Sequence, residues 1–170
     1  MIIESFLNYM SAKEVSIYTI RNYACDLRDF FKFISVRKFN QDEEAIFQST
    51  SLEDFHAYLM DMKERGLSKS TRSRRVACLK SLWKYLAKMK IATSNITEEL
   101  ETPKLDKRQP VYMTPDEAQK LLDVAKDSPR DFCILTFFLN CGLRISELAS
   151  IGIDKIKGDS LGVKGKGNKF

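Results

Sequence analysis

The sequence predicts a mainly α-helical protein with two folded parts, and three observations support this expectation. Apolar residues recur at helical spacing through most of the first ninety residues. The periodicity then disappears between Ala92 and Met113, and two new helix-start signals follow at Thr114 and Ser128. With 170 residues, 44% of them hydrophobic, the chain is long enough for one ordinary domain or two small ones.

The first part opens with two helical patterns. Residues 2 to 12 make a short helix. A long one starts at Ser16, and its apolar residues recur at i, i+3, i+4 and i+7 from Ile20 to Ile34. This spacing places the apolar side chains on one face and predicts that this face packs against other helices.

Two more helices complete the first part. The third, from about 52 to 65, begins at a capping box of Ser51 and Asp54 and ends at Gly66, a residue suited to a left-handed C-terminal stop. The fourth runs from about Ser70 to Met89. We expect it to bury Val76, Leu79, Leu82, Trp83 and Leu86. Four helices with short connections predict a compact bundle.

The second part begins after a segment with little that could pack. Residues 92 to 113 contain two prolines and mixed charges, which predicts a linker. Thr114 and Ser128 are each followed by proline and, at the third helical position, by an acid, so each predicts a helix start. Segment 132 to 139, FCILTFFL, is apolar except for one threonine and predicts a buried helix that ends at Gly142.

The chain's last stretch has a different character. Residues 160 to 170, SLGVKGKGNKF, predict a short strand, a Gly/Lys turn and the start of a return strand. The expected organisation is therefore a helical domain over 1–91, a linker over 92–113 and a second folded part over 114–170.

The charge and the cysteine content limit the kinds of partner and compartment that this chain could have. The 28 lysines and arginines outnumber the 23 acids, and the net charge of +5 favours a polyanionic partner. The four cysteines show no CxxC spacing, which predicts reduced, buried thiols in a reducing, cytoplasmic compartment. They are Cys25, Cys78, Cys133 and Cys141. We see neither a secretion signal nor a membrane-length apolar run, and we expect no membrane association.

A strongly basic run covers the fourth helix. Between Lys63 and Lys90, ten basic residues accompany one acid, giving +9 in 28 residues. A helical wheel places four of these cations, Arg74, Lys80, Lys84 and Lys88, with interspersed serines and one alanine, opposite the apolar face. A solvated surface is the simplest interpretation, but such a surface usually mixes both signs, so we favour a face that binds nucleic-acid phosphates. The residues we expect to contact DNA are Lys69, Ser70, Arg72, Ser73, Arg74, Lys80, Lys84 and Lys88.

Three other polar residues are candidates for chemistry. Arg144 in CGLRISEL follows a glycine turn and precedes a helix, a position suited to anion capture, although its spacing also fits a surface ion pair with Glu147. Lys166 lies between two glycines, where either a ligand-contacting turn or a solvated hairpin tip is possible. His56, the one histidine, fits a partly buried helix residue.

Several stretches together resemble the tyrosine recombinases, the phage-integrase and Xer-like family. They are GLSKSTRSRRVACLKSLWKYL (66–86), PKLDKRQPVYMTPDEAQKLL (103–122), FFLNCGLRISELASIGIDKI (137–156) and GVKGKGNK (162–169). The resemblance implies a four-helix core-binding, SAM-like domain followed by the first part of an α+β catalytic domain.

The resemblance also implies residue roles. Arg144 would contact the scissile phosphate and offset the charge of its five-coordinate transition state, and Glu147 would support that region. Lys166 would donate a proton to the departing 5′ oxygen. The partner would be double-stranded DNA. No metal or other cofactor would be needed, and full enzymes of the family act as tetramers on two duplexes.

The family also uses a His-x-x-Arg motif, a further His or Trp, and a nucleophilic tyrosine after the arginine. All six tyrosines of this chain precede Arg144. We therefore expect a DNA-binding fragment of a recombinase, inactive in strand cleavage by itself and of undetermined oligomeric state. Two alternatives stay open: a naturally short regulator that occupies recombinase sites without catalysis, and a helical interaction protein with a fortuitously basic face.

Overall fold

The computed structural model describes residues 1–39, 42–92, 94–105, 109–158 and 160–163. Its chain divides into two compact units, residues 1 to 107 and 108 to 170. Among the described helices, none combines the length and apolarity that crossing a bilayer requires.

The first unit is a helical bundle with short connections. Its described helices are α1 (Ile2–Ala12), α2 (Ile17–Lys38), α3 (Glu43–Ser49), α4 (Leu52–Glu64) and α5 (Lys69–Lys88). Four of them, α1, α2, α4 and α5, confirm the sequence prediction to within a residue or two, because local signals define their ends. Ser16 and Ser68 accept hydrogen bonds from the third helical residue, and Gly66 has a φ of +74° after α4.

Helix α3 corrects the expected number of helices in this unit from four to five. It has seven residues, fewer than the two full turns over which a helical repeat becomes visible. Asp42 caps it, since its carboxylate accepts a hydrogen bond from the backbone N–H of Ala45 at 2.9 Å.

The core of this unit is centred on Trp83 of α5. Its ring meets those of Phe30 from α2, Phe47 from α3 and Phe55 from α4, with centroid distances of 5.8, 5.4 and 4.8 Å and nearly perpendicular planes. Edge-to-face pairs of this kind add to the stabilisation from burying the rings. The one tryptophan thus joins four helices.

The predicted linker contains no described helix or strand, but part of it packs. Leu100 is 1% exposed and belongs to the same hydrophobic core, with Ala92 and Ile96 against its edge. The expectation that this segment has little to pack is therefore wrong up to Leu100. Isolated apolar residues without a period gave no sign of this contact.

The second unit begins with the two helices that the capping signals predicted. They are α6 (Pro115–Val124) and α7 (Pro129–Cys141). At the start of α6, the Thr114 N–H donates to Glu117 Oε2 at 2.8 Å, and the Glu117 N–H donates to Thr114 Oγ1 at 3.3 Å. Gly142 ends α7 with a φ of +60°, as expected.

Helix α7 is not the buried helix that its composition predicted. None of its residues is buried, and Phe132 and Leu139 are 38% and 39% exposed. In the described residues of this unit, Ala125 is the one buried apolar side chain. The apolar side chains of α7 are only partly covered because the few described elements of this unit do not enclose the helix.

The last described elements are α8 (Ile145–Ala149), a 3₁₀ turn (Ile153–Lys155) and a two-stranded antiparallel hairpin. Strand β1 (Ile156–Lys157) pairs with β2 (Ser160–Leu161), with Ile156 opposite Leu161. The strand predicted to begin at Ser160 is present, but its described partner precedes it in sequence. The predicted Gly/Lys turn and return strand fall mainly on residues 164–170, outside the described part of the chain.

Asp54 of α4 yields a stability prediction because it links two helices. The pKa of Asp54 is about 2: burial raises it, but hydrogen bonds from Lys38, the Ser51 backbone and Arg37 outweigh burial. The Lys38 Nζ lies 2.7 Å from its carboxylate, and the Arg37 Nε lies 2.9 Å from it. We expect Asp54→Asn to lower the free energy of unfolding at neutral pH by about 1–3 kcal/mol.

Denaturant unfolding as a function of pH checks this prediction. The unfolded carboxyl, with a pKa near 3.8, takes up its proton before the folded one, so the stabilisation is complete above about pH 4 and is lost as pH falls toward 2. The difference between Asp54→Asn and the unmodified protein should shrink across that window. Glu53→Gln, a change in an 85% exposed side chain, is the control and should have little effect. A difference independent of pH would contradict the assignment.

Candidate nucleic-acid interface

Helix α5 separates an apolar face from a polar one, as the sequence predicted. Val76, Leu79, Leu82, Trp83 and Leu86 are all buried. We call the eight residues expected to contact DNA the cationic face of α5, although one of them, Arg72, lies seven positions before Leu79 and so on the apolar side. They are Lys69, Ser70, Arg72, Ser73, Arg74, Lys80, Lys84 and Lys88.

The lysines of this face point away from the core to different degrees. Lys84 and Lys88 are exposed and Lys80 is half-buried. Lys80 and Lys84 take part in no ion pair with any described residue. Successive residues of this row lie four positions apart, so the three cations are spaced by about 6 Å along the helix.

The N-terminal half of the face is less open. Lys69 and Ser70 are exposed, whereas Arg72 and Ser73 are half-buried. The Nε of Arg72 is buried and has no hydrogen-bond partner among the described residues. Arg72 is therefore less accessible for a contact with DNA than an exposed residue such as Lys69.

Arg74 is held by an ion pair that the sequence analysis missed. Its Nη1 contacts the carboxylate of Asp26 on α2, whose side chain is 3% exposed. Arg75, the next residue, lies 3.4 Å from the same aspartate and also contacts Asp29. The Arg74 side chain is still 43% exposed, so its guanidinium both neutralises a buried acid and reaches the surface.

Asp29 forms the other half of this cluster. Arg65 at the end of α4 donates two hydrogen bonds to its carboxylate, at 3.0 and 2.8 Å, and the Tyr58 hydroxyl donates a third at 2.7 Å. The pKa of Asp29 is held at about 2, first by the Arg65 hydrogen bonds, which outweigh the effect of burial. Burial, and then the hydrogen bond to the same carboxylate, raise the pKa of Tyr58.

These ion pairs lower the positive charge that the basic run, residues 63–90, presents to solvent. Three of its ten cations, Arg65, Arg74 and Arg75, are paired with acids of α2 that lie outside the run. The local charge of +9 in the sequence therefore overstates the charge that this surface presents. No local pattern in the sequence indicates these pairs, because Asp26 and Asp29 are followed by Leu27 and Phe30 but consecutive residues lie about 100° apart around a helix.

In the second unit, Arg144 immediately precedes α8 and forms the ion pair that its spacing allowed. The Arg144 N–H donates to Glu147 Oε2 at 2.8 Å, and its Nη1 donates to Oε1 at 2.6 Å. These backbone and side-chain hydrogen bonds lower the pKa of Glu147. The Glu147 side chain is 12% exposed and that of Arg144 is 71% exposed, so the glutamate anchors a guanidinium whose outer edge faces solvent.

Lys166, the third predicted catalytic residue, lies outside the described residues, and its role stays a prediction. Two expectations about other polar residues are wrong. His56 is exposed on α4, and Cys78 is the one buried thiol among the four free cysteines. Within the described ranges, no cluster of three or more His, Cys, Asp and Glu side chains could hold a metal ion.

Comparison with known proteins identifies relatives of this chain. The family described as "Phage integrase, N-terminal SAM-like domain" matches residues 3–90. The tyrosine recombinase XerC of Caldanaerobacter subterraneus subsp. tengcongensis is 44% identical across 99% of this chain and 53% of its own length. XerC of Bacillus subtilis is 32% identical across 98% of this chain and 56% of its own length.

Solved structures show the same fold. A lambda integrase(75-356) dimer bound to a COC' core site matches 98% of this chain and 57% of that chain, with a TM-score of 0.73 and 16% identity. The Tn1549 transposon integrase in complex with circular intermediate DNA matches 93% of this chain and 51% of that chain, with a TM-score of 0.64 and 18% identity.

The extent of these matches defines what is shared. The chain spans about half the length of the curated relatives it matches, and the matched part includes the whole helical bundle. The family match over residues 3–90, together with the mainly helical fold, shows that this chain belongs to the phage integrase family of tyrosine recombinases.

Proposed function

We propose that this chain is the DNA-binding part of a site-specific tyrosine recombinase and that it holds duplex DNA through the cationic face of α5. The observation that carries the proposal is the row of Lys80, Lys84 and Lys88, which is backed by a rigid apolar core and lacks acids on the same helix. Cations arranged in this way neutralise phosphates and release their counterions.

Similarity to known proteins also supports this proposal. The Tn1549 transposon integrase, which shares the fold, was solved in complex with DNA. The match to the integrase SAM-like domain covers residues 3–90 and therefore includes all of α5. The phosphate contacts would position the protein on the duplex, and sequence reading would require additional contacts to base edges.

The second unit would contribute part of the strand-cleavage chemistry of a complete recombinase. Arg144 presents an exposed guanidinium that could hydrogen-bond the non-bridging oxygens of the scissile phosphate and offset their increased charge in the transition state. Glu147 would keep this guanidinium in place through its two hydrogen bonds. Lys166 would protonate the departing 5′ oxygen.

Removal of two lysines tests the DNA-binding surface. We expect Lys80→Gln with Lys84→Gln to flatten the dependence of log affinity on log salt by up to about 1.8, because each lost phosphate contact removes about 0.9. Fluorescence anisotropy with labelled duplexes of several sequences measures this slope. Arg74 is left intact because its removal would strand the buried Asp26.

A matched control separates the surface from net charge. Lys32→Gln with Lys63→Gln removes the same charge from exposed positions on α2 and α4. This control should retain most of the affinity and the salt dependence. Equal losses in both double variants would show that binding follows net charge and would contradict a role for the α5 face.

A covalent-adduct assay tests the limits of this chain's chemistry. Because no tyrosine follows Arg144, we expect the chain to bind a nicked recombination-site duplex without forming a phosphotyrosyl link. Denaturing electrophoresis of labelled DNA detects such a link, and an active XerC serves as the positive control. A covalent adduct formed by this chain alone would overturn the assignment of its roles.

A further inference from the structure

A second basic feature lies between α1 and α5, where a groove of about 490 Å³ opens on the bundle surface. Its cations come from both helices: Lys13 follows the end of α1, and Lys84 and Lys88 belong to α5. None of the described residues that line the groove is acidic. Lys84 and Lys88 are among the residues predicted from the sequence to contact DNA, whereas Lys13 is not.

Tyr9 of α1 organises this groove. The ammonium groups of Lys13 and Lys88 lie 4.7 and 5.5 Å from the centre of its ring, a geometry that favours cation–π attraction. The Lys88 Nζ also donates a hydrogen bond to the Tyr9 hydroxyl at 3.4 Å. The pKa of Tyr9 is lowered, first by hydrogen bonding with Lys13.

The Tyr9 ring therefore lies close to two positively charged ammonium groups, those of Lys13 and Lys88. Because both ammonium groups are near the same ring centre, they are within about 10 Å of each other, which is comparable with the Debye length at 0.1 M salt. Their mutual repulsion is not screened away at that distance, and no acid of the groove relieves it. An anion bound between them would relieve the repulsion.

The floor of the groove is apolar. Phe6 and Met10 of α1 and Tyr85 of α5 are buried, and the rings of Tyr9 and Tyr85 lie 5.0 Å apart. Cations held above an apolar floor suit a ligand that combines a phosphate with a less polar part such as a sugar. The walls belong to α1 and α5, which pack against the same core, so the geometry exists before any ligand arrives.

We propose that the α1–α5 groove is a phosphate-binding site that widens the DNA footprint from α5 to the end of α1, with Lys13 as its distinguishing contact. This inference rests on the proposed function. One wall of the groove is α5, and Lys84 and Lys88 belong both to the cationic face of α5 and to this wall. Because the start of α1 lies near Met89 at the end of α5, Lys13 at the other end of α1 lies beside the Ser81–Lys88 part of α5, where a duplex backbone that contacts Lys84 and Lys88 would also meet it.

The test uses Lys13 because it lies outside the α5 face. We expect Lys13→Gln to reduce the salt slope of duplex binding by about 0.9, a difference that accumulates to roughly eightfold in affinity over the decade from 1 M to 0.1 M salt. Lys13→Arg, which keeps the charge, should restore both values. Lys32→Gln, a single exposed lysine on α2, is the matched control and should change neither.

The outcomes distinguish this inference from the proposed function. If Lys13→Gln leaves DNA binding unchanged while the Lys80 and Lys84 double variant weakens it, the groove is not part of the footprint and the α5 assignment stands. If neither variant affects binding, both proposals fail.

A calorimetric titration with inorganic phosphate separates the two sources of the phosphate group. Weak phosphate binding that Lys13→Gln abolishes, together with weakened DNA binding, supports a backbone contact. Phosphate binding without any effect of Lys13→Gln on DNA would overturn the proposal in favour of a site for a small free anion.

Discussion

The ion pairs between two aspartates of α2 and three arginines determine which cations the bundle presents. Asp26 is buried, and a buried carboxylate is tolerable only when cations and hydrogen bonds compensate it. Arg74 and Arg75 supply this compensation from α5, while Arg65 binds Asp29 from the end of α4. The cluster therefore joins three helices. It also neutralises much of the arginine charge, even though Arg74 remains 43% exposed, and leaves the unpaired positive charge mainly to the lysines of α5.

This division explains how one helix can serve the core and the surface. The apolar face of α5 is fixed through Trp83, which contacts rings from three other helices. A face held so firmly keeps its lysines in a constant row, and a constant row can match a regular array of phosphates. Helix α1 packs beside the C-terminal half of α5 and adds Lys13 to the cations of that region. The proposed DNA footprint thus follows from how the helices pack.

Local signals made much of the fold predictable, and non-local contacts explain the rest. Capping residues such as Thr114 and helix stops such as Gly142 act within a few residues, so the sequence alone locates them. Helix α3 is too short to show a period, and the packing of Leu100 depends on a core built far away in sequence. The pairing of Arg74 with Asp26 spans 48 residues, which no local pattern reveals. The cationic face of α5 therefore stays a prediction as a DNA-binding site, and the ion pairs lower the charge that the basic run presents.

The central claim is that DNA lies along the cationic face of α5, and lysine acetylation footprinting measures this most directly. The chain would be acetylated with and without duplex DNA, and each lysine would be quantified by mass spectrometry. The account predicts strong protection of Lys80, Lys84 and Lys88, with Lys32 modified equally in both states. Protection of Lys32 with continued modification of the three α5 lysines would contradict it.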